Sequence, residues 1–289
     1  MTTEVILTGT GVPIPAAGRA GAGTLVRCGD VALQFDAGRA TVLRLVEAGV
    51  PPHALTALFV THVHSDHLVG LPDVAMTRWL QESLVDAGPL VVVTPEGAAA
   101  RFVRRMLEPF DEDIALRIEH VDASPIEVDL RTFPVPTTPE VVWTSADGLV
   151  RVLAVAVHHE PIPEAVAYRV ETPDGVVVIS GDTRVCAEVE DLSAGADIVV
   201  HEACRTTALA DAIAGTRFET IFSYHADTVP LGAMAERAGV PHLVLTHLIP
   251  PPDSAEQVEA FAQDVRDGGY RGVVTVGEDL FRVTLDGTG

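Results

Sequence analysis

Cysteine is scarce in this 289-residue chain: Cys28, Cys186 and Cys204 lie far apart, with no CxxC pair. An odd, scattered set argues against a disulfide framework and fits a reducing compartment, with each thiol expected as a small core residue. Positive charge is also short, with 19 Lys+Arg against 41 Asp+Glu and a net charge of -22. Such a field repels polyanions, so a nucleic-acid substrate would need a strong local basic patch and is disfavoured. No apolar run approaches the length of a membrane span, and no membrane association is expected. The opening MTTEVILTGTG lacks the basic-then-apolar pattern of a signal peptide, so a cytoplasmic location is expected. There is no internal repeat and no low-complexity tract. Hydrophobic residues make up 47% of the chain, enough for a sizeable core, which excludes wholesale disorder.

Short Val- and Ile-rich runs alternate with amphipathic stretches. Strands are expected at 4–7, 24–28, 31–35, 57–60, 90–93, 150–157, 165–170, 176–180, 197–200, 242–246 and 280–284, with Asp174-Gly175 as a hairpin turn. Leu231, Met234, Ala235 and Ala238 have helical spacing, closed by Gly239. Val258, Phe261, Ala262 and Val265 repeat it, opened by Ser254 with Gln257 and stopped by Gly268. Further helices are expected over 39–48, 73–85 and 97–107. The proline-rich stretch 131–148 reads as the loosest region, too short to divide the chain. One α/β domain spanning 1–289 is expected.

The strand run Ala57–Val60 leads straight into His62, His64, Asp66 and His67. Two imidazoles in a His-x-His step converge on one ion only where the chain bends, and a loop leaving a strand allows that. Nitrogen and carboxylate donors suit zinc. Four such groups on one loop exceed what a single ion takes from it, so two adjacent ions are the natural reading. Three more apolar strands end in candidate ligands: Val152–Val157 before His158-His159, Val176–Ile179 before Asp182, and Leu243–Leu245 before His247. Strand ends are where sites assemble in layered α/β folds. One such end is unremarkable; four are hard to explain as core histidines. His53, His120 and His242 lack surrounding motifs and read as surface or capping residues, and His201 as packing. Arg101, Arg104 and Arg105 share a helix face, better read as solvated than as an anion grip.

The stretch His62-Val63-His64-Ser65-Asp66-His67 resembles the HxHxDH signature of the metallo-β-lactamase superfamily. Thr8-Gly9-Thr10-Gly11, Phe35-Asp36-Ala37-Gly38, HLVGLP after the signature, SGDT, His201-Glu202-Ala203 and LTHLIPP at 245–251 place the likeness on the ribonuclease Z and arylsulfatase-like branch. The resemblance implies a four-layered αββα sandwich. It implies His62, His64 and His159 on a first metal, Asp66, His67 and His247 on a second, and Asp182 bridging. His159 is chosen over His158 from the phrase that follows it, since neighbours on a strand face opposite ways. Glu202 and His225 would form a proton-delivery pair, and Asp36 would brace the signature loop.

The chemistry so implied is ester hydrolysis by a hydroxide bridging two divalent ions, zinc first, with manganese or iron possible. Asp66 would orient the hydroxide, and protonated His225 would donate to the leaving oxygen. Members that process transfer RNA carry an arm between the third histidine and the bridging aspartate, and here only 23 positions separate His159 from Asp182. With the acidic charge, this favours a small phosphodiester or aryl sulfate substrate over tRNA 3′ processing. Thioesterase or lactonase activity is a further alternative, and a non-catalytic scaffold ranks last because every ligand position is filled. Relatives on this branch are often homodimers, and a homodimer is expected.

Overall fold

The structure is a computed structural model, in which residues 2–121 and 123–286 are described. In chain order the elements are β1 (Thr2–Gly9), β2 (Gly23–Cys28), β3 (Val31–Phe35), α1 (Thr41–Glu47), β4 (Ala57–Phe59), α2 (Ser65–Leu68), α3 (Leu71–Gln81), β5 (Leu90–Pro95), α4 (Ala98–Arg105), α5 (Asp111–Val121) and β6 (Val128–Phe133). They continue with β7 (Glu140–Thr144), β8 (Arg151–Ala156), β9 (Val166–Thr172), β10 (Gly175–Ile179), α6 (Ala187–Leu192), β11 (Ile198–Cys204), α7 (Thr206–Ile213), α8 (Arg217–Ser223), α9 (Thr228–Arg237), β12 (His242–Ile249), α10 (Ala255–Asp267), β13 (Val273–Val276) and β14 (Arg282–Asp286).

The strands form two 7-stranded sheets, ordered β14-β1-β2-β3-β4-β5-β6 and β13-β12-β11-β10-β9-β8-β7. Strand alternation sorts their side chains into three cores. Val5, Leu7, Val26, Phe35 and Phe59 of the first sheet meet Val152, Tyr168, Val170, Val177, Val200 and Val244 of the second, so the sheets face each other. Their alternating neighbours Ile6, Leu25 and Leu58 turn outward onto Leu45 of α1, Leu71 and Val74 of α3 and Val103 of α4. On the other side Val178, Val199, Leu243 and Leu245 pack on Val189 of α6, Leu231 and Met234 of α9 and Phe261 and Val265 of α10. The result is the expected αββα sandwich. Among the described residues no helix is long and apolar enough to cross a membrane.

The strands expected from sequence all form, several one to four residues longer or shorter than read. The stretch 131–148 is not the loop expected: it holds the end of β6 and all of β7. Among the described residues β7 pairs only with β8, and most of its residues stay partly or fully exposed, so its Glu140-Val-Val-Trp-Thr sequence lacks a buried strand's clean signal. The parallel strands β3, β4 and β5, and β10, β11 and β12, end on one side, which brings Asp36, the signature loop, Asp182, Glu202 and His247 to a common edge.

Candidate metal centre

β4 ends at Phe59, and the chain then turns through Thr61 and His62 into α2, which carries Asp66 and His67 with His64 as its N-cap. His159 follows β8, and Asp182 follows β10 through Gly181, whose φ of +59 is a left-handed conformation that glycine adopts without strain. A Cβ there would stand 2.9 Å from the Thr61 Cβ, so the Asp182 turn and the signature loop are packed directly together. His247 sits inside β12 with φ 44, at the place where the β11–β12 register shifts.

These turns bring every predicted ligand together. His64 Nδ1 lies 3.0 Å from both His62 Nε2 and His159 Nε2, and Asp182 Oδ2 is 3.9 Å from the first and 3.8 Å from the second of those Nε2 atoms. On the other side His247 Nε2 is 3.2 Å from Asp66 Oδ2, and His67 Nε2 and His247 Nε2 stand 3.3 and 3.4 Å from Asp182 Oδ2. Asp182 therefore adjoins both groups. His158 is excluded from the cluster: it turns out to Glu188, 3.2 Å away, while His159 is buried.

A second layer fixes which nitrogen each ring presents. Asp36 Oδ1 accepts the Thr61 amide at 2.8 Å, and its Oδ2 accepts the Thr61 hydroxyl at 2.8 Å and His67 Nδ1 at 2.7 Å. The Thr61 oxygen, its proton given to Asp36, is left to accept from His62 Nδ1 at 3.0 Å. His159 Nδ1 faces the Tyr224 carbonyl at 3.4 Å. In each case Nδ1 is the protonated side; Nε2 of His62 and His159 presents a lone pair inward, and Nε2 of His67 does so once its second proton is lost. Asp36 thus acts as the brace the sequence suggested. Thr61 and the Tyr224 carbonyl were not foreseen, since no motif marks a threonine beside a ligand or a backbone oxygen from another loop.

The donor set fits divalent cations. Two imidazole nitrogens on a tetrahedral ion with bonds of about 2.0–2.1 Å lie about 3.3 Å apart, close to the spacing around His64. His67 Nε2 and Asp182 Oδ1 are buried with no hydrogen-bond partner, as atoms reserved for an ion would be. Burial and the neighbouring His67 hold His62 well below the usual imidazole range, and burial lowers His64 and His159. Asp182 is held well below the usual carboxylate range because His247, His67 and His62 outweigh its burial. Neutral nitrogens and ionised carboxylates are the forms that bind metal. His67 is the exception: burial would lower it, but Asp182, Asp36 and Asp66 raise it well above the ordinary value, making it the positive charge among three acids.

Beside the ligands, fully buried Glu202 accepts the Thr183 amide at 2.8 Å and His225 Nδ1 at 2.9 Å, both on Oε1. Burial alone would lower His225, but the Glu202 charge and hydrogen bond, with Asp182 behind, raise it to about 9. His225 lies within 4.8 Å of Asp182 and His247, so an imidazole of raised pKa stands next to the carboxylate that adjoins both groups. The remaining candidates stay outside: His53 contacts Gln81 at 3.1 Å, His242 contacts Thr275 at 2.9 Å, and buried His201 bonds the Glu202 carbonyl at 2.8 Å.

Next to the signature loop lies a cavity of about 1160 Å³ that Val63 and Ser65 line together with Arg101, Arg104 and Arg105. Asp73, Glu108 and Asp113 also line it, so this wall is formally neutral in a chain whose charge sums to -22.

The family described as a beta-lactamase superfamily domain matches residues 35–248. A ribonuclease Z from Mycobacterium sp. (strain KMS) is 38% identical over 286 residues, covering 98% of this chain and 96% of the relative. Among solved structures, the metallo-beta-lactamase fold protein YhfI from Bacillus subtilis superposes with a TM-score of 0.73 at 19% identity, covering 98% of this chain and 100% of its own. Human tRNase Z, short form, gives 0.68 at 21% identity, covering 98% and 99%. The ribonuclease relatives overturn the expectation of a small-molecule ester substrate with nucleic acid disfavoured. That expectation rested on the short interval between His159 and Asp182 and on summed charge; a ribonuclease Z relative aligned over 96% of its own length leaves little room for a longer interval, and at about 0.1 M salt a charge acts over about 10 Å. Several of the acids counted, Asp36, Asp66, Asp182 and Glu202, are moreover buried in the site itself. By its matched domain, its ligand cluster and its full-length relatives, the chain belongs to the metallo-β-lactamase superfamily of metal-dependent hydrolases, on the ribonuclease Z branch.

Proposed function

We propose that the chain is an endoribonuclease of the ribonuclease Z kind, cutting a phosphodiester bond in the 3′ flank of a precursor transfer RNA. The observation that carries the proposal is the placing of His225, held by Glu202 at 2.9 Å, beside an aspartate shared by two ligand groups. The names of the full-length relatives supply the substrate class.

In this reading His62, His64 and His159 hold one ion, Asp66, His67 and His247 a second, and Asp182 both, with zinc the first choice for this nitrogen-rich set. Two such ions, when bound, supply an activated water and neutralise charge on the phosphoryl oxygens. Asp66, kept ionised chiefly by His67 and His247 against its own burial, orients the attacking water. Glu202 fixes His225 through Nδ1, which leaves the Nε2 proton for the departing ribose oxygen. A poor leaving group such as a ribose hydroxyl needs that proton; an acidic phenol does not.

Zinc- or manganese-loaded protein incubated with a precursor transfer RNA bearing a 3′ trailer is expected to release the trailer at one site. Asp66→Ala, with its fold verified, is expected to release none. Turnover of thioester or sulfate substrates with no cleavage of RNA would refute the proposal.

A further inference from the structure

The stretch between His159 and Asp182 holds only β9, β10 and their turn. Another element has to hold the substrate beside the site. The chain between Glu202 and His225 is the candidate. It contains α7 and α8, and none of their residues is buried. The hairpin is tied down by Arg205, which bonds Asp264 at 2.8 Å, and by Leu209 and Phe222 against Val12, Cys204 and Ile249.

Its outer side carries the exposed ring of Phe218. Phe218 and Phe222 are stacked, with centroids 5.8 Å apart and planes at 24°. Phe218 is 39% exposed, and the Arg217 guanidinium lies over it, 5.5 Å from the ring centroid. Arg217 makes no ion pair among the described residues. Directly after α8 comes Tyr224, whose ring stands 5.2 Å from the His159 ring at 86° and 5.5 Å from the His225 ring. Tyr224 is only partly buried. At 1.5 Å per helical residue, Phe218 lies about 9 Å back along the chain from Tyr224. Phe222 turns inward onto Val12, Cys204 and Ile249, whereas Phe218 keeps an exposed face beneath the Arg217 cation.

We infer that Tyr224, beside His159 and His225, with exposed Phe218 further back along α8, is a positioning residue that stacks the unpaired bases flanking the scissile phosphate. Stacking tolerates any base, because each has a π-face, and needs no excess positive charge. It therefore suits a chain this acidic. This inference rests on the ribonuclease reading above.

The test is a cycle between side chain and base. Zinc-loaded wild type, Tyr224→Ala, Tyr224→Phe and Phe218→Ala, each matched in metal content and circular dichroism, are assayed on precursor transfer RNA with a 3′ trailer. The RNA is either intact or abasic at one nucleotide on either side of the cut. For wild type, one abasic position is expected to raise KM roughly tenfold, the loss of one stacked base. Tyr224→Ala is expected to raise KM on intact RNA by the same factor and to lose less than about twofold more at that abasic position. Tyr224→Phe is expected to keep the wild-type pattern, and Phe218→Ala to show the same coupling one or more nucleotides further out. Independent losses that simply multiply would overturn the inference while leaving the ribonuclease reading intact. A wild type that hydrolyses bis(p-nitrophenyl) phosphate but cuts no RNA would overturn both.

Discussion

Asp36 Oδ2 stands 2.7 Å from His67 Nδ1, while the same carboxylate takes both donors of Thr61. One residue after β3 thereby sets the orientation of ligands on either side of the site, His67 directly and His62 through the Thr61 hydroxyl. Its own φ of 58 is left-handed, a conformation that Asp and Asn tolerate better than most residues.

Asp36→Asn keeps shape and backbone preference but loses the charge that orders both rings. Metal affinity is expected to fall about 10–100-fold, the usual cost of losing an outer carboxylate behind a ligating histidine. Competition against a fluorescent zinc chelator measures it. Unchanged affinity would mean that the ligand loop is held by packing alone.

His225 and Glu202 are expected to matter in proportion to the leaving group. Removal of a positioned general acid costs about 10²–10⁴-fold, so His225→Ala should lose that much on RNA and far less on bis(p-nitrophenyl) phosphate, whose phenolate leaves unaided. The pH dependence has a definite sign. A raised pKa of about 9 in His225 keeps the donor protonated at neutral pH, and activity falls as pH rises through the alkaline limb. Bound cations bring that limb below 9, since their charge favours the neutral ring. In Glu202→Gln the limb should move further down; an unmoved limb would assign it to another group.

Gly181→Ala tests the seam between the two halves of the site. The left-handed conformation costs a residue with a Cβ about 1–2 kcal/mol, and this Cβ also meets Val166 O at 3.0 Å. Thermal unfolding should shift down, and metal affinity should fall with it as Asp182 is displaced. A lower melting temperature with unaltered metal binding would show that the Asp182 turn moves independently of the Thr61 loop.

Between the sheets, buried Tyr168 donates its hydroxyl to the Val60 carbonyl at 2.6 Å, and its ring packs against Phe35 and Phe59 at 5.4 and 5.5 Å. Tyr168→Phe keeps the rings and strands the carbonyl. A loss of about 1–3 kcal/mol is expected in urea unfolding, the cost of an unpaired buried acceptor.

The signature loop was readable in the sequence because its four donors are contiguous and follow an apolar strand. The sandwich was readable because most strands, such as Ala57–Phe59 and Gly175–Ile179, are short apolar runs. What stayed hidden depends on packing between distant segments. β7 has no buried face long enough to show a period. α5, α7 and α8 have no buried residue at all, so no apolar stripe announces them, and the rings of α8 passed unnoticed. Thr61 looks like any strand-end threonine until Asp36 is seen across from it. The substrate was misread for different reasons: the short interval between His159 and Asp182 was taken to exclude transfer RNA, and a sum over 60 charged side chains does not describe the few that surround the site.

The most direct test is a single-turnover assay of a 3′-extended precursor transfer RNA with metal-stripped and zinc-reloaded protein, metal content being measured on the same samples. The account predicts one cut in the 3′ flank that disappears on stripping and returns as the zinc content rises towards two ions per chain. Full zinc occupancy with the RNA left intact would contradict it.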